Sequence, residues 1–120
     1  MKKLFVAFLF FLLITGCSGG SYTDVSVDKA KELIDSGEVQ VLDVRTPDEF
    51  AAGHIPGAKL VPLQVIDSML SELDQKEKYL VVCHSGNRST EASKILASNG
   101  FKSIYNLTGG LSEWTFEIEK

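Results

Sequence analysis

The sequence predicts an α/β domain with an open, mostly parallel sheet covered by helices on both faces. From Tyr22 onward, strand-type and helix-type segments alternate, and no internal repeat, low-complexity tract or second linker interrupts them. The run YLVVC is apolar throughout, which is typical of a parallel strand buried on both faces. A content of 44% hydrophobic and 23% charged residues is ordinary for one globular domain of about 100 to 150 residues.

The first half of the domain is predicted to hold two helices around one strand. Ser26 precedes VDKAKELIDSG, whose apolar residues share one helical face, and Gly37 ends that helix. VQVLDVR is a short strand-type run. TPDEFAAG predicts a helix of one or two turns opened by Thr46 and Pro47, and HIPGAKLVP predicts a loop with a short extended segment.

The second half repeats this alternation. A third amphipathic helix is predicted from the spacing of its apolar residues, which are Val65, Ile66, Met69, Leu70 and Leu73. The strand YLVVC follows, then a helix from about Ser89 to Asn99 with Gly100 past its end. SIYNLTGG predicts a strand and turn, and LSEWTFEI a last short helix or extension. Function is expected beyond the carboxyl ends of the strands, where Cys83 lies.

The first 17 residues, MKKLFVAFLFFLLITGC, form a secretory signal pattern of two lysines, an apolar run and small residues. The run from Leu4 to Ile14 is shorter than the roughly 20 residues of a membrane-spanning helix. ITGC resembles the lipobox of bacterial lipoproteins, in which the cysteine is lipidated and becomes the first mature residue. The resemblance implies a signal peptide over residues 1–16, a lipid on Cys17 and a short tether over residues 17–21. An ordinary secretory peptide with a chance cysteine is the alternative.

An exported protein with this N-terminus would be lipid-anchored to a bacterial membrane, facing the periplasm or the cell exterior. Removal of the signal peptide takes away Lys2 and Lys3 and changes the formal net charge from −4 to −6. This acidic balance argues against nucleic acid as a partner. A lipidated Cys17 cannot form a disulfide, which leaves Cys83 as an unpaired thiol outside the cytoplasm. Such a thiol is a liability unless its reactivity is used.

The neighbours of Cys83 favour a nucleophile over an inert buried hydrophobe, the other common role of a free cysteine. A strand, a loop and a helix start succeed one another in VVCHSGNRST, so the free N–H groups of the first helical turn can bind an anion. Gly86 permits a left-handed turn or a close approach of an oxyanion to the backbone. Arg88 adds a permanent charge on a planar fork, and the same field lowers the pKa of a nearby thiol.

Three segments of the chain resemble signatures of the rhodanese-like family, in the right order and across nearly all of residues 22–120. They are LDVRTPDEFAAGHIPGA, CHSGNRS and LTGGLSEW. The resemblance implies an α/β fold and transfer of a sulfane sulfur through a cysteine persulfide. By position, Cys83 would carry the sulfur, and the substrate-binding loop would comprise His84, Ser85, Gly86, Asn87 and Arg88.

The implied partners are a small anionic sulfur donor, such as thiosulfate or a persulfide, and a thiophilic acceptor, and we expect a monomer without a cofactor. With two histidines and one available thiol, no metal-ligand cluster is visible. Cysteine phosphatases resemble a pattern with five residues between cysteine and arginine, whereas here there are four. The shorter loop suits a persulfide or the end of thiosulfate better. A persulfide carrier with little turnover and a non-catalytic scaffold stay open as alternatives.

Three further polar side chains, Asp43, Arg45 and His54, are candidates for supporting roles. Asp43 and Arg45 follow a strand end, and structural hydrogen bonds that hold loops are favoured over a catalytic role. His54 is expected to be a hydrogen-bonding loop residue, and Trp114 to pack in the core or at a rim. For His84 two roles stay open, tuning the thiolate and pointing to solvent.

Overall fold

The computed structural model describes residues 21–120, so the predicted signal peptide, Cys17 and most of the predicted tether lie outside the described residues. The strands are β1 (Thr23–Val25), β2 (Gln40–Asp43), β3 (Lys59–Leu60), β4 (Tyr79–Val82) and β5 (Ile104–Leu107). The α-helices are α1 (Val27–Asp35), α2 (Pro47–Ala52), α3 (Ile66–Met69) and α4 (Asn87–Ser98). Short 3₁₀ turns occupy Leu63–Val65, Leu70–Glu72 and Leu111–Glu113. Among residues 21–120, no helix has the length and apolarity needed to cross a membrane.

The five strands form one parallel sheet in the order β1-β5-β4-β2-β3. Strand β4 lies at the centre, where Leu80 is in register with Val41 on one side and with Tyr105 on the other. All four residues of β4 are buried, as predicted. The first strand, β1, was not predicted, because it is a three-residue edge strand with two exposed positions and so lacks a continuous apolar run.

Alternate residues of β4 point into two separate cores, one on each face of the sheet. Val81 and, two residues later, Cys83 lie in the core covered by α3 and α4, which includes Ile66 and Leu96. The opposite core is covered by α1 and the C-terminal segment, and it includes Val25, Ala30, Leu33, Leu80, Val82 and Leu107. The predicted fold class, a mostly parallel α/β sheet with helices on both faces, is therefore confirmed.

The ends of the first two helices match the expected capping signals. The Ser26 hydroxyl accepts a hydrogen bond from the Lys29 N–H at 3.2 Å and caps α1. In α2, Pro47 occupies the first turn, and Thr46 and Glu49 form a reciprocal capping box. Helix α2 has no buried residue, so the capping box fixes its start and, with it, the position of the Glu49 side chain.

Two helices differ from the sequence prediction. The third amphipathic helix is broken into a four-residue α3 between two 3₁₀ turns, because no side chain caps the start of any of these three segments. Its apolar residues, including Met69 and Leu73, still pack against the first core. Helix α4 begins at Asn87, two residues earlier than predicted, because Gly86 adopts a left-handed φ of 103° and turns the chain directly into the helix.

Candidate active site

The thiol of Cys83 lies directly after the central strand, beneath a tight turn. Cys83 is 0% exposed, whereas His84 and Ser85 above it are exposed. The turn comprises only residues 84–86, because Asn87 already belongs to α4. The predicted binding loop is thus divided between a three-residue turn and the first helical turn.

Two backbone N–H groups point at the sulfur. The Gly86 amide donates to Cys83 Sγ at 3.0 Å, and the Ser89 amide donates to it at 3.3 Å. Burial raises the pKa of the Cys83 thiol, but the nearby Ser89 hydroxyl and the amides of Ser89, Gly86 and Ser85 lower it and outweigh burial. The hydroxyl itself donates to the Gly86 carbonyl oxygen at 3.2 Å. The net effect lowers the pKa of Cys83 below its ordinary value of 9.0. The site therefore favours a thiolate, the nucleophilic form of cysteine.

The lowered pKa predicts that alkylation of Cys83 by neutral iodoacetamide reaches half its maximal rate below pH 9.0. Ser89→Ala removes the hydroxyl that helps to lower the pKa of Cys83 and keeps the Ser89 amide, so it should raise the pKa and shift this profile to higher pH. Ser93→Ala is a matched control, since Ser93 is equally buried in α4 and its hydroxyl has no hydrogen-bond partner among the described residues. Equal shifts in both variants would contradict a specific role of Ser89.

The segment LTGGLSEW lies behind the turn and fixes its backbone. The Leu111 amide donates to the Cys83 carbonyl oxygen at 2.8 Å, and the Ser112 amide donates to the His84 carbonyl oxygen at 2.8 Å. Gly110 is so close that a Cβ there would lie 2.7 Å from the Ser85 nitrogen and closer still to the His84 carbonyl group. The absence of a side chain at Gly110 is therefore required for the turn to sit where it does.

Arg88, the last residue of the predicted loop, does not present a free guanidinium. Its Nη1 donates to Glu49 Oε1 at 2.7 Å and its Nη2 donates to Glu49 Oε2 at 3.0 Å, which joins α4 to α2. Hydrogen bonding from Arg88 lowers the pKa of Glu49 to about 2, although burial opposes the change. The same contact raises the pKa of Arg88. The result is a bidentate ion pair whose net charge is zero.

Glu49 was not recognised as a site residue from the sequence. The spacing of Thr46 and Glu49 is that of a capping box, which could have indicated that the carboxylate is held at the start of α2. Nothing in the order of residues pairs it with Arg88, which is 39 positions away.

The side chains of Asp43, Arg45 and His54 brace the neighbouring loop. The Arg45 guanidinium donates to the buried carboxylate of Asp43, with the shortest distance 2.7 Å, and to the Gly53 carbonyl oxygen at 2.8 Å. His54 Nδ1 lies 2.8 Å from the Phe50 carbonyl oxygen, and the His54 ring stacks on the Phe50 ring with centroids 3.7 Å apart. Within the described residues, none of their side-chain hydrogen bonds reaches residues 83–88.

A cavity of about 270 Å³ opens beside the turn. It is lined by Arg45, Glu49, Ala52, Gly53, His84, Leu111, Trp114, Phe116 and Ile118. Trp114 forms part of its rim, where the indole N–H donates to the Glu117 carbonyl oxygen at 3.2 Å. The exposed His84, which directly follows Cys83 in the chain, also lines this cavity. Within residues 21–120, no three His, Cys, Asp or Glu side chains form a group that could hold a metal ion.

Comparison with known proteins gives consistent matches over this architecture. Residues 26–117 match the family described as "Rhodanese-like domain". The thiosulfate sulfurtransferase GlpE of Ectopseudomonas mendocina is 36% identical over 97 residues, which cover 79% of this chain and 88% of GlpE. A crystal structure of a rhodanese-like domain protein from Staphylococcus aureus is 36% identical, with a TM-score of 0.74, over 81% of this chain and 96% of that one.

A longer relative is also matched. The Bacillus subtilis protein named "Putative sulfur carrier protein YrkF" is 33% identical over 103 residues, and the chain spans 56% of its length. The family match over residues 26–117 includes Cys83, the turn above it and the segment LTGGLSEW behind the turn. The chain therefore belongs to the rhodanese-like domain family.

Proposed function

We propose that the protein is a sulfurtransferase in which Cys83 carries the transferred sulfur as a persulfide. The observation that carries this proposal is the pair of N–H donors on Cys83 Sγ, from Gly86 and Ser89, at the carboxyl end of the central strand. These donors stabilise a thiolate before the reaction and an anionic persulfide after it. The names of the relatives, a thiosulfate sulfurtransferase and a sulfur carrier, support the same chemistry.

The reaction takes two steps. The Cys83 thiolate attacks the outer sulfur of a donor such as thiosulfate, a sulfur–sulfur bond forms, and the donor's own sulfur–sulfur bond breaks. Sulfite leaves with the electron pair of that bond, and Cys83 becomes a persulfide anion. An acceptor thiolate, or cyanide in an assay, then attacks the outer sulfur and regenerates the Cys83 thiolate.

A second candidate is a persulfide carrier that hands sulfur to a partner protein with little turnover on its own. The burial of Cys83 favours this candidate, because a thiol that is 0% exposed is shielded from solvent and from small oxidants. A thiosulfate–cyanide assay combined with a direct measurement of persulfide formation separates the two. Steady turnover at the rate of persulfide formation indicates the enzyme, and fast persulfide formation with slow turnover indicates the carrier.

We also propose that the protein acts outside the cytoplasm, anchored by a lipid on Cys17, on the strength of the signal pattern and the sequence ITGC. Cys17→Ala should then release the protein from the membrane, because acyl chains contribute roughly 0.8 kcal/mol of membrane affinity per buried methylene. Membrane fractionation and mass spectrometry of the mature N-terminus measure this. Cys83→Ser is the matched control and should stay in the membrane fraction. Retention of the Cys17→Ala variant there would contradict the anchor.

A further inference from the structure

Both arginines of the chain are neutralised by carboxylates near the site. Arg45 is bound by the buried Asp43, and Arg88 is bound by Glu49. The side chains of the second pair are about a third exposed, at 32% for Arg88 and 34% for Glu49. Each guanidinium among the described residues is therefore paired with a carboxylate, and the hydrogen bonds to the sulfur come from backbone N–H groups.

The negative partner of the second pair faces the approach to the site. Glu49 lines the cavity beside the turn together with His84, whereas Arg88 does not line it. The other charged residue of the lining, Arg45, is already paired with Asp43. A donor in this cavity therefore lies against the Glu49 carboxylate as well as against His84 of the turn.

Hydrogen bonds from Thr46 also hold the Glu49 carboxylate in place. Its Oε1 accepts hydrogen bonds from the Thr46 amide and from the Thr46 hydroxyl, each at 3.1 Å, in addition to the 2.7 Å bond from Arg88 Nη1. An anion that competes for Arg88 must displace a carboxylate that its own helix cap keeps in place. A ligand with two negative charges is disfavoured more than one with a single charge, because the carboxylate lines the cavity and repels it, whereas the guanidinium that would attract it does not line the cavity.

We propose that Glu49 is a specificity-determining residue that holds the Arg88 guanidinium and so disfavours dianionic sulfur donors relative to organic persulfides of lower charge. The inference rests on the proposed sulfurtransferase function and concerns which donor it uses. With an organic persulfide, Cys83 takes the outer sulfur and the organic thiolate leaves with the electron pair of the broken sulfur–sulfur bond. That leaving group carries one negative charge from sulfur, where the sulfite released from thiosulfate carries two.

The first test measures charge at Cys83 without any sulfur transfer. On the full chain, the rates of alkylation by iodoacetate, an anion, and by iodoacetamide, which is neutral, are compared by mass spectrometry of the Cys83 peptide, so that Cys17 does not contribute. Glu49→Gln keeps an acceptor for the helix cap but frees Arg88. The iodoacetate-to-iodoacetamide rate ratio should rise by about three- to tenfold.

Asp48→Asn is the matched control for that variant. Asp48 is exposed in the same first turn of α2 and its loss changes the net charge equally, but it makes no ion pair among the described residues. Its ratio should stay within about twofold of the parent protein. An unchanged ratio in Glu49→Gln, or an equal rise in Asp48→Asn, would overturn the inference.

The second test measures donor preference, as the ratio of kcat/KM for thiosulfate, a dianion, to kcat/KM for a small alkyl persulfide that has no other charged group and so carries at most one negative charge. Glu49→Gln should raise this ratio by about three- to tenfold. Arg88→Ala should lower it by about ten- to a hundredfold, because Glu49 is then unpaired, and Arg88→Lys should lower it less. The doubly neutral variant, Glu49→Gln with Arg88→Gln, should return close to the parent ratio.

If the ratio of the two kcat/KM values is the same in Glu49→Gln as in the parent protein, the assignment of Glu49 as a specificity determinant is overturned. Absence of transfer from either donor in the unaltered chain would instead overturn the proposed function. The alkylation ratios would in that event still decide whether Glu49 masks the charge of Arg88, so the two failures are distinguishable.

Discussion

Cys83→Ser should abolish sulfur transfer and leave the fold intact. A serine oxygen cannot form a persulfide, so no covalent intermediate is available. The fold should survive because the two residues have similar volumes and the serine oxygen can accept the same N–H groups of Gly86 and Ser89. Transfer from thiosulfate to cyanide, with circular dichroism and thermal unfolding, measures both effects.

Cys83→Ala is a useful companion to that variant. It should be equally inactive but less stable, by about 1–3 kcal/mol, because the buried amides of Gly86 and Ser89 lose their acceptor. Activity retained in either variant would contradict the role of Cys83 as sulfur carrier. Equal stability of the two would contradict the hydrogen bonds to its sulfur.

Gly110→Ala should reduce sulfur transfer by about a hundredfold, although residue 110 makes no contact with the sulfur itself. A Cβ at Gly110 would collide with the backbone of His84 and Ser85, so the turn over Cys83 must move. A displacement of about 1 Å in a catalytic geometry can lower the rate by about this factor. Steady-state kinetics measure the effect, and the pH profile of Cys83 alkylation should shift to higher pH as hydrogen bonds to the thiolate weaken.

Gly109→Ala is the matched control. Gly109 has the same φ of 66° as Gly110, so an alanine is strained at either position, and the ψ of −169° at Gly110 adds strain there. The three atoms nearest to a Cβ at Gly109 all belong to the side-chain carboxylate of Glu113, which can rotate away. Both variants should lose stability, Gly110→Ala more than Gly109→Ala, and only Gly110→Ala should lose most of its activity. Equal loss of activity in the two would show that strain, and not support of the turn, explains the effect.

Much of the fold was predictable because its signals are local. Strand β4 is an apolar run, and the starts of α1 and α2 are given by Ser26 and by Thr46 with Pro47. Strand β1 could not be predicted, because its place at the edge of the sheet comes from pairing with β5, 80 or so residues along the chain. The third helix was predicted to be longer than it is, because its apolar spacing is helical. The spacing does not show that no side chain caps its start.

The part of the candidate site that lies in one stretch of sequence was predictable. The contacts between residues far apart in the sequence were not. Cys83 and its turn lie in one stretch of sequence, so their association with a helix start could be inferred. The pair of Arg88 with Glu49 joins residues 39 positions apart, and a free, anion-binding Arg88 was expected instead. The role of Gly110 was also missed, because its support of the turn depends on backbone proximity that no side-chain pattern records.

The most direct measurement is the mass of the Cys83 peptide after the full chain has been mixed with a sulfur donor and separated from it. We expect one added sulfur atom on Cys83, formed from thiosulfate or from an organic persulfide, and its loss as thiocyanate when cyanide is added. The added sulfur should be absent from Cys83→Ser. Turnover of the donor without any added sulfur on Cys83 would contradict the role of Cys83 as sulfur carrier.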